Sequence, residues 1–260
     1  MKVLFIGDIV GKSGRTAVKA LLPNLVDKYK IDIVIANGEN IAAGFGLTEP
    51  LVAELFKIGI HIITTGNHVW DKKEFIPYIS KDNRVLRPLN YPPGVPGSGS
   101  IVISIQNGLK VAVMNISGRV FMPGVDCPFR TGRAELDMLS KETDIIIVDF
   151  HAEATSEKIA FGYFVDGRAS AVIGTHTHVQ TADERILPGG TGYLTDAGMT
   201  GPVDSVIGMK REIILERFLS QLPQPFKVAT QNIQLQGVLL KIDAQGRCQE
   251  ISRLVVPVKS

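Results

Sequence analysis

Five short apolar runs, each ending at once in polar side chains of the kind that hold metals, constrain this chain more than any other feature. Val3–Gly7 runs into Asp8, and Ile31–Ala36 into Asn37-Gly38-Glu39-Asn40. Ile60–Thr64 leads to Gly66-Asn67-His68, Ile145–Asp149 to His151, and Ala171–Ile173 to Gly174-Thr175-His176-Thr177-His178. Short runs of this kind, bounded by turn residues, read as buried strands of a parallel sheet. In open α/β sheets, ligands bind outside the carboxyl ends of the strands. Five separate turns are therefore expected to deliver oxygen and nitrogen donors to one edge.

Between these runs lie helical stretches. One begins at Ser13 or Gly14 and runs to about Tyr29. A second is capped by Thr48 with Pro50 in its first turn, and Asp71 and Glu74 have capping-box spacing for a third. Four prolines and three glycines between Arg87 and Ser100 predict a surface loop. Asn107-Gly108, flanked by Ile101–Ile105 and Val111–Asn115, predicts a hairpin. A second alternation follows, with a helix near Glu153–Phe164 and a strand at Thr191–Thr195. The turn-rich stretch Gly198–Pro202 and a helix at about Met209–Leu219 precede strands near Gly237–Ile242 and Leu254–Val258. The stretch after Asn115 reads as irregular. No repeat or linker marks a boundary, so residues 1–260 are expected to form a single domain with a sheet on each side of the core.

Composition narrows the function. The net charge is +2, too balanced for a protein that binds duplex nucleic acid through its phosphates. No apolar stretch approaches membrane-span length, and the first one meets Asp8 too early for a signal-peptide core. Two distant cysteines, Cys127 and Cys248, have no paired metal or redox spacing, which points to a reducing, cytoplasmic compartment.

The donor set is imidazole, carboxylate and amide without thiolate. Three histidines with carboxylates suit Mn, Fe or Zn better than Mg or Ca. Seven donors are too many for one tetrahedral site but suit two ions, the arrangement used to hydrolyse phosphate esters.

The ordered blocks Gly7-Asp8, Gly38-Glu39-Asn40, Gly66-Asn67-His68, His151 and Gly174-Thr175-His176-Thr177-His178 resemble the calcineurin-like metallophosphoesterases. The usual pattern there is D-x-H, G-D-x-x-D, G-N-H-[DE], a lone H and G-H-x-H. Val10 stands where that pattern has its first histidine, and Gly38-Glu39 replaces Gly-Asp; with Asn40, these departures resemble the YmdB-like branch of bacterial phosphodiesterases. The resemblance implies an α/β sandwich of two mixed β-sheets flanked by helices. It implies one metal at Asp8, Glu39, Asn40 and His178, and another at Glu39, Asn67, His151 and His176, Glu39 bridging. Asn40 would supply what Val10 cannot. It further implies a dinuclear Fe or Mn enzyme, with Zn as a further option, hydrolysing small phosphodiesters such as 2',3'- or 3',5'-cyclic nucleotides. A bridging hydroxide would attack phosphorus and His68 would act as general acid.

Singly, each block has a plainer reading. Asp8 could cap a helix, Glu39 and Asn40 could be turn residues, and His151 alone is more often structural. His176 and His178 favour a metal even in isolation, since alternation puts both on one side of an extended segment. All the plain readings would have to hold at once, which decides for the metal site. Gly11-Lys12-Ser13 lacks the upstream glycine of a P-loop, and His61 is expected to sit in a sheet without a role. Arg119, Phe121, Phe129 and Arg130 form a candidate rim for substrate, and Asp196–Gly201 is a turn that could approach the site. The alternatives are a phosphomonoesterase, or a nucleotide- or RNA-linked regulatory binding protein with weak turnover. A homo-oligomer is compatible with the sequence.

Overall fold

The computed structural model describes residues 1–105 and 108–259. Strand β1 (Lys2–Ile6) leads through β2 (Asp8–Ile9) into helix α1 (Gly11–Tyr29). There follow β3 (Ile33–Asn37), α2 (Glu49–Ile58), β4 (Ile62–Thr64), a 3₁₀ turn (Lys73–Phe75), α3 (Ile76–Ile79) and β5 (Val85–Leu86). The middle of the chain forms β6 (Ser100–Ser104), β7 (Lys110–Ser117), α4 (Pro128–Leu139), β8 (Ile146–His151), α5 (Thr155–Phe164) and β9 (Ala171–Thr175). The last part forms β10 (Arg185–Ile186), β11 (Gly192–Leu194), β12 (Met199–Pro202), α6 (Arg211–Ser220), β13 (Ile233–Ile242) and β14 (Cys248–Pro257).

The strands make two mixed sheets. The first runs β2-β12-β13-β1-β3-β4-β5, with β14 on β13; the second runs β10-β11-β9-β8-β7-β6. Side chains alternate across each strand, and this alternation divides the core. In β1, Val3 and Phe5 face the second sheet and meet Val113, Ile147 and Ile173. Leu4 and Ile6 face the other way, onto Val18 and Leu22 of α1 and Val52 and Leu55 of α2. The outer face of the second sheet, with Met114, Val148 and Val172, packs under Leu136 of α4 and Phe161 of α5. The order is helix, sheet, sheet, helix, which is the sandwich the sequence predicts.

Several local expectations need correction. Thr48 sits at the N-cap of α2, but its side chain makes no capping bond. Asp71 and Glu74 form no capping box: a 3₁₀ turn follows, and the Asp71 carboxylate turns back to His68. Residues 128–139, within the stretch expected to be irregular, form α4; Pro128 in its first turn and the spacing of Leu136 and Leu139 were the signal. Gly198–Pro202 is not a free turn, because Met199–Pro202 is β12, parallel to β2 and antiparallel to β13. The strands β6 and β7 pair antiparallel as expected, while Asn107 of the predicted hairpin turn lies outside the described residues. His61 holds a sheet position, its Nδ1 accepting the Val34 N–H at 3.0 Å.

Candidate metal centre

The parallel strands β1, β3 and β4 of one sheet and β8 and β9 of the other end at the same edge. Glu39, just past β3, is buried there. Its Oε1 lies 3.1 Å from His151 Nε2, and its Oε2 accepts the His68 N–H at 3.1 Å. His151 Nε2 is also 3.1 Å from Asn67 Oδ1 and 3.1 Å from His176 Nδ1. Donor atoms of Glu39, His151 and His176 all lie within 4.8 Å of one another, close enough to hold one ion.

The second group lies alongside. His176 N–H donates to Asp8 Oδ2 at 3.2 Å, and His178 Nε2 is 3.8 Å from Asp8 Oδ1. His178 Nδ1 is tied to the Ile207 carbonyl at 3.0 Å, which leaves Nε2 as the free donor atom. Asn40 gives its amide N–H to Gly44 O at 3.0 Å. Among the described residues, two buried side-chain oxygens have no hydrogen-bond partner: Asp8 Oδ1 and Asn40 Oδ1. An unpaired buried oxygen costs about 1–3 kcal/mol. A cation between them would remove that cost, so this donor set fits a metal. Val10 is fully buried, its methyls facing the Gly201 and Gly208 backbone, and is no donor.

The same groups shift one another's protonation. Burial would raise the Glu39 carboxyl, but the His151 charge and hydrogen bond, with His68 beside them, bring it down to about 2. Burial would lower His151, yet Glu39, Asp8 and Asp149 raise it to about 9. Burial and the His151 charge push His176 down to about 3, so its lone pair is available. Burial pushes Asp8 up to about 6, against the pull of His178 and His151.

A supporting shell, missed in the sequence, fixes these groups. His151 Nδ1 is 2.9 Å from Thr175 Oγ1, which donates to Asp149 Oδ1 at 2.6 Å. Asn37 Nδ2 donates to Asp149 Oδ2 at 3.1 Å. Such partners set the orientation of a ligating imidazole. The fully buried pair Lys158–Asp196, at 2.7 Å, clamps the histidine segment. Lys158 Nζ donates to Thr175 O at 2.7 Å, and Asp196 Oδ2 accepts both N–H and O–H of Thr177. The histidines do not alternate along a strand: β9 stops at Thr175, and His176 and His178 have φ of 98° and 64°. That left-handed backbone, held by the clamp, turns both rings to one cavity. Gly66 must be glycine, because a Cβ there would enter the His151 ring and the Glu39 carboxylate.

The cavity, about 490 Å³, is lined in part by Glu39, Asn40, His68, His176 and His178. His68 Nδ1 is 2.8 Å from Asp71 Oδ2. Glu153, expected only to begin a helix, reaches His176 Nε2 at 3.1 Å. Arg119, Phe121 and Arg130 do not line this cavity. Arg119 and Arg130 are exposed, Phe121 is 89% exposed, and Phe129 packs on Phe161 and Phe164. The stretch Asp196–Gly201 does adjoin the site, with Gly198 O accepting the Asp8 N–H at 3.0 Å.

Two sheets with a Glu–His cluster at their shared strand-end edge frame the site of a phosphoric ester hydrolase, the class named for the relatives of this chain. The chain belongs to the family described as YmdB-like protein, whose model matches residues 4–254. It is 50% identical over 257 residues to the 2',3'-cyclic-nucleotide 2'-phosphodiesterase of Bacillus subtilis (strain 168), covering 98% of this chain and 97% of that one. A crystal structure of a hypothetical protein from Thermus thermophilus superposes with a TM-score of 0.91 at 45% identity, covering 99% of both chains. That of a novel phosphatase from Mycoplasma pneumoniae superposes with a TM-score of 0.92 at 36% identity, over 99% of this chain and 93% of the other. Among the described residues, no helix is long and apolar enough to cross a membrane.

Proposed function

We propose that this chain hydrolyses small phosphodiesters, 2',3'-cyclic nucleotides first among them, with two transition-metal ions, Fe or Mn ahead of Zn. The observation that carries the reading is the pair of orphaned buried oxygens, Asp8 Oδ1 and Asn40 Oδ1, beside the Glu39–His151–His176 cluster. The substrate follows the activity named for the Bacillus subtilis relative. Asp8, Glu39, Asn40 and His178 would hold one ion, and Glu39, Asn67, His151 and His176 the other. When bound, such a pair supplies hydroxide at neutral pH and neutralises phosphoryl oxygens.

The residues of the chain then divide the remaining work. Asn40, with its amide N–H tied to Gly44, would offer its oxygen to a bound ion. His68, tied through Nδ1 to Asp71, keeps Nε2 free to donate a proton. Water, having given up one proton to solvent, would add its oxygen to phosphorus; the ester bond to one ribose oxygen would break, that oxygen would take the His68 proton, and solvent would reprotonate His68. Opening at the 2' ester leaves a nucleoside 3'-phosphate.

The test is metal content of protein purified without chelator, with 2',3'-cyclic AMP hydrolysis before and after chelation. About two ions per chain, activity lost on chelation and restored by Mn or Fe, and Asn40→Ala at least about 10²-fold slower are expected. Full activity in chelator, or in Asn40→Ala, would overturn the reading. Phosphomonoester hydrolysis is the second reading, favoured by the structural match to a phosphatase. Relative rates on bis-p-nitrophenyl phosphate and p-nitrophenyl phosphate separate the two.

A further inference from the structure

The metal-type residues line only one end of the cavity. The opposite wall is apolar and aromatic, made by Phe45, Met209, Ile214, Phe218 and Phe226 with Arg217 at its edge. Phe45 follows Gly44, at φ 98°, where a Cβ would meet Met209 and Val228. The loop after β3 is thereby seated on the two segments that flank α6. Those two segments are pinned to each other, with Lys210 N–H donating to Lys227 O and Ala229 N–H to Gly208 O. The wall is thus assembled from the loop after β3 and from α6 with its flanking segments, braced against each other.

Its geometry suits a flat ring. The Phe45 ring centroid is 5.4 Å from Phe226 and 5.0 Å from the His68 ring, edge to face in both cases. The Arg217 guanidinium lies 4.7 Å from the Phe226 centroid and has no carboxylate partner among the described residues. Phe226 and Phe218 remain 43% and 70% exposed, an apolar surface left facing the cavity mouth. Aromatic faces beside an unpaired guanidinium are the elements that stack bases with little regard to their hydrogen-bonding edges.

We infer that Phe45, Phe226 and Arg217 form a nucleobase subsite, the base lying against the aromatic wall while the cyclic phosphate reaches the metal end. This rests on the hydrolase reading and adds to it the part of the substrate that is recognised. A lipid chain would use the apolar wall but leave the guanidinium without a partner, so a nucleotide is the occupant the residues favour. Because the contact is by stacking, purines bind ahead of pyrimidines and no single base is read.

Two measurements test this on the metal-loaded full chain. The first is calorimetric binding of adenosine 3'-monophosphate and of glycerol phosphate, to wild type and Phe226→Ala. The second is kcat/KM on 2',3'-cyclic AMP and on glycerol 1,2-cyclic phosphate, which has no base. Wild type should bind the nucleotide roughly tenfold or more tightly than glycerol phosphate, and Phe226→Ala should remove most of that difference. The loss in kcat/KM should be roughly tenfold larger for the nucleotide than for the base-free ester, and should fall mainly on KM. Phe45→Leu, which keeps the bulk, should act in the same direction. Equal losses on both esters, or equal binding of both phosphates by wild type, would overturn the subsite. Selective nucleotide binding without turnover would leave the subsite standing and defeat the hydrolase reading instead; turnover without base preference would do the reverse.

Discussion

His68 is held from one side. Asp71 Oδ2 lies 2.8 Å from Nδ1, while Phe45 packs edge to face against the ring. If the ring donates a proton to a ribose oxygen, Asp71 is a positioning residue whose effect depends on the leaving group. An alkoxide leaves slowly unless it is protonated, whereas p-nitrophenolate needs little help. Asp71→Asn should slow 2',3'-cyclic AMP hydrolysis roughly 10-fold in kcat with little change in KM, and bis-p-nitrophenyl phosphate hydrolysis much less. Equal slowing of both would mean that Asp71 merely braces the loop. The residues assigned to this chemistry were legible because their spacing is local: Gly66-Asn67-His68 and Gly174 through His178 each stand out within five positions. Asp71 was visible but misread as a helix cap, since capping and ring-holding use the same carboxylate. Phe45, Phe226 and Arg217 were not legible. They meet only when the loop after β3 folds against α6 and the segment that follows it, far apart in the chain.

The segment after β9 is strained at two positions. His176 and His178 both adopt positive φ, a conformation a side chain resists, and a buried clamp holds them there. Lys158 of α5 and Asp196 lie 38 positions apart in sequence, which is why no motif announced them. Lys158→Met would leave Asp196 buried without its partner, an arrangement that costs about 3–5 kcal/mol. The urea midpoint should fall by a corresponding amount, and metal retention should fall with it. An unchanged midpoint would show that Thr177 and the Gly198 N–H satisfy Asp196 alone. Asp183 braces the neighbouring turn: it accepts the Thr181 O–H at 2.7 Å and both N–H and O–H of Thr195. Burial would raise its carboxyl, but these hydrogen bonds hold it below the usual value of 3.8. A lowered folded value stabilises above the unfolded one and is lost as pH falls through the folded one. Asp183→Asn should therefore be less stable than wild type at pH 7, with the gap closing below about pH 4. A gap that persists at pH 3 would mean the loss is one of shape, not charge.

At the scale of the molecule, the site joins the two sheets. Asp8, Glu39, Asn40 and Asn67 follow strands of the first sheet, or begin β2 on it, whereas His151, His176 and His178 belong to the second. β1 and β8 were readable as short, continuous apolar runs, and the layered sandwich followed from the family resemblance; the short β2, β5, β10 and β12 were not readable, because two to four residues carry too little pattern. At the closed end, the inter-sheet core of Phe5, Ile35 and Ile147 holds the layers together without help. At the site edge the contacts are polar and include the orphaned oxygens of Asp8 and Asn40. Ions bound there would tie the sheets together and stabilise only the folded chain. At free metal a thousandfold above Kd, each site contributes about 4 kcal/mol. For a chain of this size that corresponds to roughly 8–16 °C in Tm. Chelation should lower Tm by at least that much, and Mn should restore it. In Asn40→Ala the shift should shrink rather than vanish, because the Glu39, Asn67, His151 and His176 group remains. Hydrogen exchange should locate the loosening at the ends of β3, β8 and β9 and not at the Phe5 core. A Tm that does not respond to chelation, in protein shown to have contained metal, would mean that the two sheets already hold the edge closed and that the ions serve chemistry alone.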